Sequence, residues 1–476
     1  MGLNYFGRQV IYSDEEAITR ENVIPVLTKA LQLHNQNSAD ISYLYNYYKG
    51  YQPILEKTKE HSTICNHIVE NRAYEIVTFK TGYLLGEPIM YVNRGDESMN
   101  DPIERFNRYM IAENKDAKDK ELADWFTICG TSYRLILPAK KGDLSPVRIY
   151  TLDPRNSFVI YWSGLGNKPL AGVRYIMKQD GTIVYSVWTE NRYFEISDAS
   201  MAASMNGKVL IKEEPVLYGR VPLVEYPGNN ARLGAFEVVL PLLDAINDLA
   251  SDATDAIDGF VDALMVFKNV DVKAAEFIQL KELGAIKIPP DGDVKYLVEE
   301  LNQQGVQTLT NNLYQSVLTI CGMPNRNGGL STSDTGTAVR YRDGFVAAEQ
   351  YAKNSESIFR KSEYESLALM IKIANTIDPN LMLNVETPDV EIRFTRRNYE
   401  NIAEKSTVLT TMLANPHIAP ELAFQHCGMF ADPDLAARVS EEYYEAYEKK
   451  QLEALNSTAG IHEDEEEDGD EDVQET

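Results

Sequence analysis

The chain has 476 residues, 44% of them hydrophobic, and a formal net charge of -26 from 46 Lys and Arg against 72 Asp and Glu. This length allows about three domains, and the apolar fraction is that of a globular protein with a buried core. The acidic balance argues against a protein that wraps nucleic acid over its whole surface, because such binding depends on many Lys and Arg contacts to phosphates. We therefore expect any DNA contact to be local or weak.

Signals of compartment point to an intracellular product. Cys65, Cys129, Cys321 and Cys427 are far apart and form no C-x-x-C pair, so we expect reduced core residues. The start of the chain, MGLNYFGRQV, lacks the apolar segment of a signal peptide, and no apolar run approaches the ~20 residues that span a bilayer. We expect a soluble protein or assembly component with no membrane partner.

The N-terminal part of the chain is predicted to be helical. Apolar periodicity indicates helices over residues 15–33, 41–60, 67–85 and 102–128, with a short strand over 89–92. The tyrosine-rich stretch YLYNYYKGYQPIL, residues 43–55, is interpreted as core. An interface is the alternative for this stretch, because Tyr is enriched at interfaces.

Between residues 132 and 225 the pattern changes from helical to alternating. Short runs rich in β-branched and aromatic residues, separated by turn residues, indicate strands. They cover 133–137, 147–152, 158–162, 173–177, 183–188, 193–196 and 209–212. An antiparallel sheet beside the preceding helices gives an α+β fold class that is mainly α. Residues 221–230 are predicted as a strand that leads into a loop.

A row of carboxylates marks the stretch 233–267. Its members recur at steps of four or three, and they are Asp244, Asp248, Asp252, Asp255, Asp258 and Asp262. On an α-helix these steps place all six on one face, opposite an apolar face. No Lys, Arg or His interrupts the stretch. The row is either the solvated face of an amphipathic helix or a negative wall facing a polyanion that slides without sticking.

A helical hairpin with a small tip is predicted next. Strands over 263–269, 285–288 and 294–298 and a helix over 273–283 make the tip, and the second hairpin helix covers 303–320. The segment 325–336 is rich in Gly, Ser and Thr, so we expect no regular structure there.

The remainder of the chain is predicted to be mainly helical. A helix over 338–376, roughly 57 Å long, leads to a strand over 390–394 that rejoins the earlier sheet. Residues 401–455 are predicted to be helical with turns at prolines. The acidic end, 462–476, is expected to be disordered and self-repelling.

Signatures of common enzymes are missing. The sequence contains no P-loop, no G-x-G-x-x-G in a strand-to-helix setting, no H-E-x-x-H and no G-x-S-x-G. The segment 61–67 has two His and one Cys but no second ligand pair, which favours a structural role. The Asp row offers ligands for two-metal phosphodiester chemistry, but carboxylates spread over ~27 Å do not converge on ions ~4 Å apart. We expect no enzymatic activity, metal or cofactor.

Three stretches resemble the portal proteins of long-tailed bacteriophages. The most specific is residues 221–269, VPLVEYPGNNARLGAFEVVLPLLDAINDLASDATDAIDGFVDALMVFKN. The second joins ICGMP, 320–324, to TGTAVRYR, 335–342, and is similar to the tunnel loop and the start of the long helix in that family. Thr335 stands where the family usually has Ser. The third, residues 66–91, is a helix that leads to GYLLGEP. The resemblance covers about residues 15–400.

The resemblance implies a dodecameric ring at one capsid vertex, through which double-stranded DNA is packaged and ejected. The implied regions are wing 1–232, first stem helix 233–262, clip 263–301, second stem helix 302–322, tunnel loop 323–337, spine helix and returning wing strand 338–399, crown 400–456 and acidic tail 457–476. The implied partners are a terminase motor docking at the clip, head-completion or adaptor proteins, scaffold and major capsid protein. The implied location is the virion, and the host cytoplasm during assembly.

Residue roles follow from the resemblance and the charge pattern. The six aspartates are assigned to the DNA channel, because a wall of Lys would form phosphate contacts strong enough to stall a sliding duplex. The tunnel loop is assigned Asn325, Arg326, Asn327, Gly328, Gly329, Ser331, Thr332, Ser333 and Asp334. Arg340 and Arg342 are candidates for transient phosphate contacts, with intersubunit salt bridges to the Asp row as the alternative. The alternatives for the whole chain are a carboxylate-dependent metal phosphodiesterase and a structural adaptor without a pore.

Overall fold

The computed structural model describes residues 6–58, 64–198, 207–261, 264–268, 291, 293–297, 303–325, 344–377, 385–394, 402–430 and 433–463. The described chain is an α+β protein in which helices predominate. The helices are α1 (Val23–Tyr48), α2 (Arg72–Leu84), α3 (Asn100–Ala112), α4 (Lys115–Cys129), α5 (Leu240–Val261), α6 (Gln303–Ile320), α7 (Phe345–Ile377), α8 (Ile402–Leu413), α9 (Pro420–Cys427) and α10 (Pro433–Glu463). None of these described helices has the length and apolar character needed to span a bilayer.

The described strands form two larger sheets and two strand pairs. They are β1 (Ile11–Ser13), β2 (Met90–Asn93), β3 (Thr131–Pro138), β4 (Val147–Leu152), β5 (Ser157–Trp162), β6 (Pro169–Met177), β7 (Ile183–Trp188), β8 (Arg192–Asp198), β9 (Lys208–Pro215), β10 (Leu223–Pro227), β11 (Leu264–Lys268), β12 (Asp293–Leu297) and β13 (Val390–Arg393). The six-stranded sheet has the order β1-β5-β6-β7-β8-β9, and the three-stranded sheet has the order β10-β3-β4. β1 runs parallel to β5, and the other pairs in these sheets are antiparallel.

The predicted strands over 132–225 are confirmed, and β4 and β7 have the predicted bounds. They divide between two sheets, however, where the sequence predicts one antiparallel sheet. The prediction lacks β1, because three residues carry too few alternating positions to be recognised. β13 returns to pair with β2, with Val390 opposite Asn93, and not with the larger sheets as predicted.

The predicted helices 15–33 and 41–60 are wrong as two elements, because α1 runs unbroken through the polar segment 34–40 and ends at Tyr48. Residues in that segment lie on the buried face. His34 Nε2 lies 3.1 Å from the carbonyl oxygen of Arg155. The Asn37 side chain accepts from the Gln9 backbone N–H at 2.9 Å and donates to the Gln9 carbonyl at 2.8 Å. Because these polar side chains have hydrogen-bond partners, the helix continues through a segment whose composition predicts a helix end.

Other helix boundaries also differ from the prediction. The helix predicted over 67–85 begins at Arg72, where the Asn71 side chain accepts a hydrogen bond from the third backbone N–H after it. The helix predicted over 102–128 is two helices, because Asn114 adopts the left-handed conformation at φ +51°. α4 then ends at Cys129 and is capped by Gly130, where φ is +84° and a Cβ would lie 1.9 Å from the Arg232 carbonyl oxygen.

The long helix and the C-terminal tail can be compared with the prediction only in part, because some of their residues lie outside the described ranges. The long helix α7 begins at Phe345, and the predicted residues 338–343 lie outside the described residues. α10 continues to Glu463, past the predicted boundary of the acidic tail at 457. Residues 464–476 also lie outside the described residues.

Buried apolar side chains form three clusters. The first joins α3, α4 and α7 to the three-stranded sheet, and the second packs α1 on the six-stranded sheet. The third joins α1 and α2 to the start of α5 and the end of α6. Tyr47 is fully buried in this third cluster, with its ring centroid 5.8 Å from that of Phe236, whereas Tyr51 is exposed. The core interpretation of the tyrosine-rich stretch is therefore confirmed for Tyr47 and not for Tyr51.

A buried network of charged side chains fixes α7 to the sheet. Arg134 of β3 donates to Glu363 of α7 at 2.7 Å and also bonds Asp119 of α4. Lys115 contacts Asp119 at 2.6 Å and Glu363 at 3.0 Å, and the Tyr226 hydroxyl donates to Glu363 at 2.8 Å. Burial acts to raise the pKa of Glu363, but the two cations outweigh it and hold that pKa well below its usual range. Two cations thus balance two carboxylates in the core.

Because His34 of α1 is buried, we expect the free energy of unfolding to fall in mild acid. Its ring stacks on Phe158 with centroids 4.3 Å apart, and burial lowers its pKa from 6.5 to about 4. The unfolded chain takes up this proton near pH 6.5, so below that pH the unfolded state binds more protons than the folded state. From about pH 6.5 down to about pH 4, we expect this group to lower the free energy of unfolding by up to ~1.4 kcal/mol per pH unit.

Urea unfolding of the wild type and of His34→Phe between about pH 7 and about pH 5 measures the slope of the free energy of unfolding against pH. Phe retains the ring stacking, and the Arg155 carbonyl keeps its bonds from Ser38 and Tyr175. The slope is expected to flatten in the variant and to persist when the exposed His417 is replaced by Gln. Parallel pH dependences for the wild type and His34→Phe would contradict the assignment to His34.

Candidate functional site

The acidic row lies on α5, which packs against α6 as a helical hairpin. Leu243 and Ile246 of α5 share the third core cluster with Val317 and Leu318 of α6. β11 follows α5 and pairs antiparallel with β12, which precedes α6. The predicted hairpin with a strand-containing tip is confirmed for these elements. The predicted tip helix 273–283 and strand 285–288 lie outside the described residues.

Helix α5 carries the predicted aspartates on one face, but their environments differ. Asp252 and Asp258 are exposed, whereas Asp244 and Asp255 are partly buried. Asp262 lies outside the described residues. Buried polar side chains, Asn247 and Ser251, share this face with the carboxylates. The face is therefore a mixed polar surface with an acidic majority.

Two aspartates near the start of α5 bind side chains from preceding elements. The Tyr47 hydroxyl donates to Asp244 at 2.8 Å, and the Lys57 ammonium contacts Asp248 at 2.9 Å. Burial raises the pKa of Asp244, the Tyr47 bond opposes this change, and the neighbouring Asp248 charge adds to it. The Lys57–Asp248 pair is substantially exposed, so we expect it to contribute at most about 1 kcal/mol.

The segment 64–71 lies along this face and forms what we term the amide ladder. Alternate backbone N–H groups of the segment donate to side chains on successive turns of α5. The pairs are Asn66 to Asp255, Ile68 to Ser251 and Glu70 to Asn247, at 2.7, 2.9 and 2.8 Å. Two residues of extended chain cover ~6.6 Å and four helical residues rise ~6.0 Å, so the two repeats stay nearly in step.

Side-chain bonds reinforce the two ends of the amide ladder. The Asn66 side-chain amide donates to Asp255 at 2.8 Å and to Asp258 at 2.7 Å, which places one donor between two neighbouring carboxylates. At the other end, the Asn247 amide donates to the Gln52 side chain at 2.5 Å. Part of the acidic face is thus covered by the chain itself. Neither interpretation from the sequence, solvated face or negative wall, includes this contact.

If the amide ladder holds the segment 64–71 on α5, removing the Ser251 hydroxyl should weaken the protection of the Ile68 amide. In Ser251→Ala the Ile68 N–H loses its acceptor, and losing this part-buried hydrogen bond costs about 1 kcal/mol. We expect the Ile68 amide to exchange with solvent at least about five-fold faster in hydrogen-exchange NMR or mass spectrometry. Thr254→Ala is the matched control, because among the described residues the Thr254 hydroxyl bonds the Ala250 carbonyl of its own helix, at 2.9 Å, and no group of the segment 64–71. Equal exchange in both variants would contradict the ladder.

α6 adds a surface to which the helix itself contributes no charged side chain. Its sequence, QQGVQTLTNNLYQSVLTI, contains no charged residue, and α5 contains no Lys, Arg or His. The exposed polar side chains of α6 include Gln304, Thr308, Asn311, Asn312 and Ser316. The hairpin therefore presents one acidic and one uncharged polar surface.

The other predicted site residues are mostly beyond the described chain. Asn325 donates to the Gln315 side chain of α6 at 2.6 Å and accepts from it at 3.3 Å. The residues outside the described ranges are Arg326, Asn327, Gly328, Gly329, Ser331, Thr332, Ser333, Asp334, Arg340 and Arg342. Their roles stay predictions. In the described ranges, no group of three or more His, Cys, Asp or Glu is placed to hold a metal ion.

Comparisons with known proteins address the chain as a whole. The family model for "Phage portal protein, SPP1 Gp6-like" matches residues 29–458, and no curated protein matches. Two solved structures at 10% identity each cover 82% of this chain and 94% of their own: the neck of an empty gene transfer agent particle (TM-score 0.49) and the virion of a native one (TM-score 0.46). The family match includes the hairpin, its acidic face and the helices that follow. The chain is a member of the SPP1 Gp6-like family of phage portal proteins.

Proposed function

We propose that this chain forms a homo-oligomeric ring at one capsid vertex and that double-stranded DNA passes through the ring during packaging and ejection. The observation that carries the proposal is the family match over residues 29–458, which spans both hairpin helices. The proposal includes twelve subunits, as the family resemblance implies, and the wing, stem, clip, crown and tail boundaries given above. It includes no catalytic activity for the chain.

The α5–α6 hairpin is proposed as the stem that surrounds the DNA. Its described length of 22 residues on α5 corresponds to about 33 Å, close to the ~34–36 Å of one duplex turn. The hairpin helices lack cations, so they offer the phosphates none of the contacts whose sum makes binding strong and salt-dependent. A duplex would then move along the stem without deep energy wells.

Within the stem, the six aspartates are proposed to act in two ways. Asp252 and Asp258 are exposed and Asp248 is half-exposed, so these three would lie nearest to the duplex. Asp244 and Asp255 are partly buried, accept hydrogen bonds from Tyr47 and Asn66, and would add negative potential without direct contact. Asp262 is proposed to extend the row. The repulsion is partly screened by salt, with a screening length of ~8 Å at physiological ionic strength.

The remaining roles are proposed from the family resemblance. The tunnel-loop residues from Asn325 to Asp334 would contact the moving duplex, with Arg340 and Arg342 giving transient phosphate contacts or intersubunit salt bridges. A terminase motor would dock at the clip, residues 263–301, and head-completion proteins would later replace it. Scaffold and major capsid protein would hold the ring in the virion, after assembly in the host cytoplasm.

Electron microscopy of the purified full-length protein tests the proposal, together with native mass measurement. We expect rings with an open axis and a mass equal to a whole number of chains. A folded chain that stays monomeric at all accessible concentrations would contradict the ring. Particles with a closed axis would favour the adaptor without a pore. Nuclease activity in Mg²⁺ or Mn²⁺ that is lost in Asp252→Asn would favour the phosphodiesterase.

A further inference from the structure

A cavity of about 340 Å³ lies where the hairpin joins the body of the protein. Its walls come from α2, the end of α4, the segment before α5, the end of α6 and the first half of α7. Apolar and aromatic side chains such as Phe79, Leu84 and Ile358 make much of its lining. Its position at the root of both stem helices makes any occupant a contact of the stem.

Lys80 is the charged side chain of this cavity. Its ammonium lies 4.9 Å from the ring centre of Tyr351, and in the described part of the chain it forms no ion pair. Burial lowers the pKa of Lys80, as expected for a cation without a carboxylate beside it. An opposite charge brought next to a partly desolvated ammonium gains more than it would in water. The cavity is therefore chemically suited to a carboxylate.

The mouth of the cavity is apolar and exposed. Val238, Ile320 and Tyr351 line it and are 52%, 47% and 45% exposed. Gly322, at φ +61°, lets the end of α6 approach closely, since a Cβ there would lie 2.3 Å from the Tyr351 ring. Exposed apolar side chains grouped around a shielded polar point are typical of a protein interface, where the rim excludes water from the central contact.

We propose that this cavity, the Lys80 pocket, receives an Asp or Glu side chain from the neighbouring copy of this chain in the ring, with the apolar mouth packed around it. The proposal rests on the proposed ring. A second copy is the occupant that charge favours, because the chain has 72 Asp and Glu against 46 Lys and Arg and thus more carboxylates than its own cations can pair with. The contact ties the stem root of one subunit to the next subunit.

Zero-length cross-linking of isotopically mixed rings tests the pairing directly. A carbodiimide joins the Lys80 amine to a carboxylate as an amide, and the reagent takes up the released water as a urea. In rings assembled from equal amounts of light and ¹⁵N-labelled chains, we expect Lys80 peptides cross-linked between light and heavy chains. Lys57 is the internal control, because its carboxylate partner, Asp248, lies 2.9 Å away in the same chain.

Matched variants test whether the contact supports assembly. Lys80→Met keeps an unbranched side chain in the pocket and removes the charge, so we expect the concentration for half-assembly to rise at least roughly tenfold. Lys80→Arg is expected to keep most of the assembly, and Lys120→Met, which loses an exposed ion pair with Asp116, to assemble like the wild type. Circular dichroism establishes that each variant is folded.

The outcomes separate this inference from the proposed function. Rings that assemble normally from Lys80→Met, with Lys80 cross-linked only within its own chain or not at all, overturn the Lys80 pocket and leave the ring in place. A wild-type chain that forms no rings overturns both.

Discussion

Replacing Arg134 with methionine is expected to lower the free energy of unfolding by about 3–5 kcal/mol, the range for breaking one partner of a buried ion pair. Arg134 is fully buried between Glu363 and Asp119. Without it, two carboxylates share the single cation Lys115, so the core carries one uncompensated negative charge. Because Glu363 belongs to α7, the loss also weakens the attachment of that helix to the sheet.

Urea unfolding of single and double variants measures this effect. Arg134→Met/Glu363→Gln restores the charge balance, so we expect the double variant to be clearly more stable than the sum of the two single changes implies. Arg108→Met is the surface control. Arg108 pairs with Glu104 at 3.5 Å with both side chains exposed, and its loss should cost less than about 0.5 kcal/mol. A loss below about 1 kcal/mol in Arg134→Met would show that the network does not stabilise the fold.

Placing lysine at both Asp248 and Asp252 is expected to convert the stem into a DNA-binding surface. Every subunit of a ring would then add cations to the channel, and each phosphate contact steepens the fall of log K with log salt by ~0.9. We expect duplex affinity at low salt to rise at least roughly tenfold and DNA translocation to slow or stop. Filter binding across a salt series and a packaging assay measure the two effects.

Two control variants separate charge position from net charge. Asp248→Asn/Asp252→Asn removes the same carboxylates without adding cations, so it should affect translocation far less. Asp101→Lys/Glu104→Lys makes the same charge change on α3, where both side chains are exposed. Equal affinity and salt dependence in the stem and α3 lysine variants would contradict a channel role for the acidic face.

Much of the fold follows from local sequence patterns. β4 and β7 alternate β-branched and aromatic residues between turns, and α6 has an apolar stripe between residues that favour loops, so their bounds are recovered to the residue. The failures occur where tertiary contacts override local preference. α1 continues through His34 and Asn37 because they have hydrogen-bond partners, and the break between α3 and α4 falls at Asn114 without the Gly or Pro that usually marks a break.

Local sequence patterns predict the acidic face of the candidate site but not the amide ladder that covers part of it. Steps of three and four place the aspartates on one helical face, and the structure confirms that placement for those it describes. The amide ladder is not predictable by periodicity, because one of its two partners is backbone. The usable signal is the i, i+4, i+8 spacing of Asn247, Ser251 and Asp255, three acceptors that a purely solvated face does not need.

The amide ladder places an unusual constraint on the chain. Its donors are main-chain groups, so the side chains of Ile68 and Glu70 can vary without loss of the contact. Inserting or deleting a single residue would instead turn alternate N–H groups away from α5 and break the match between extended chain and helix turn. The number of residues in the segment 64–71 is therefore more tightly constrained than the identity of those residues. Related chains should tolerate substitution there far better than a one-residue insertion.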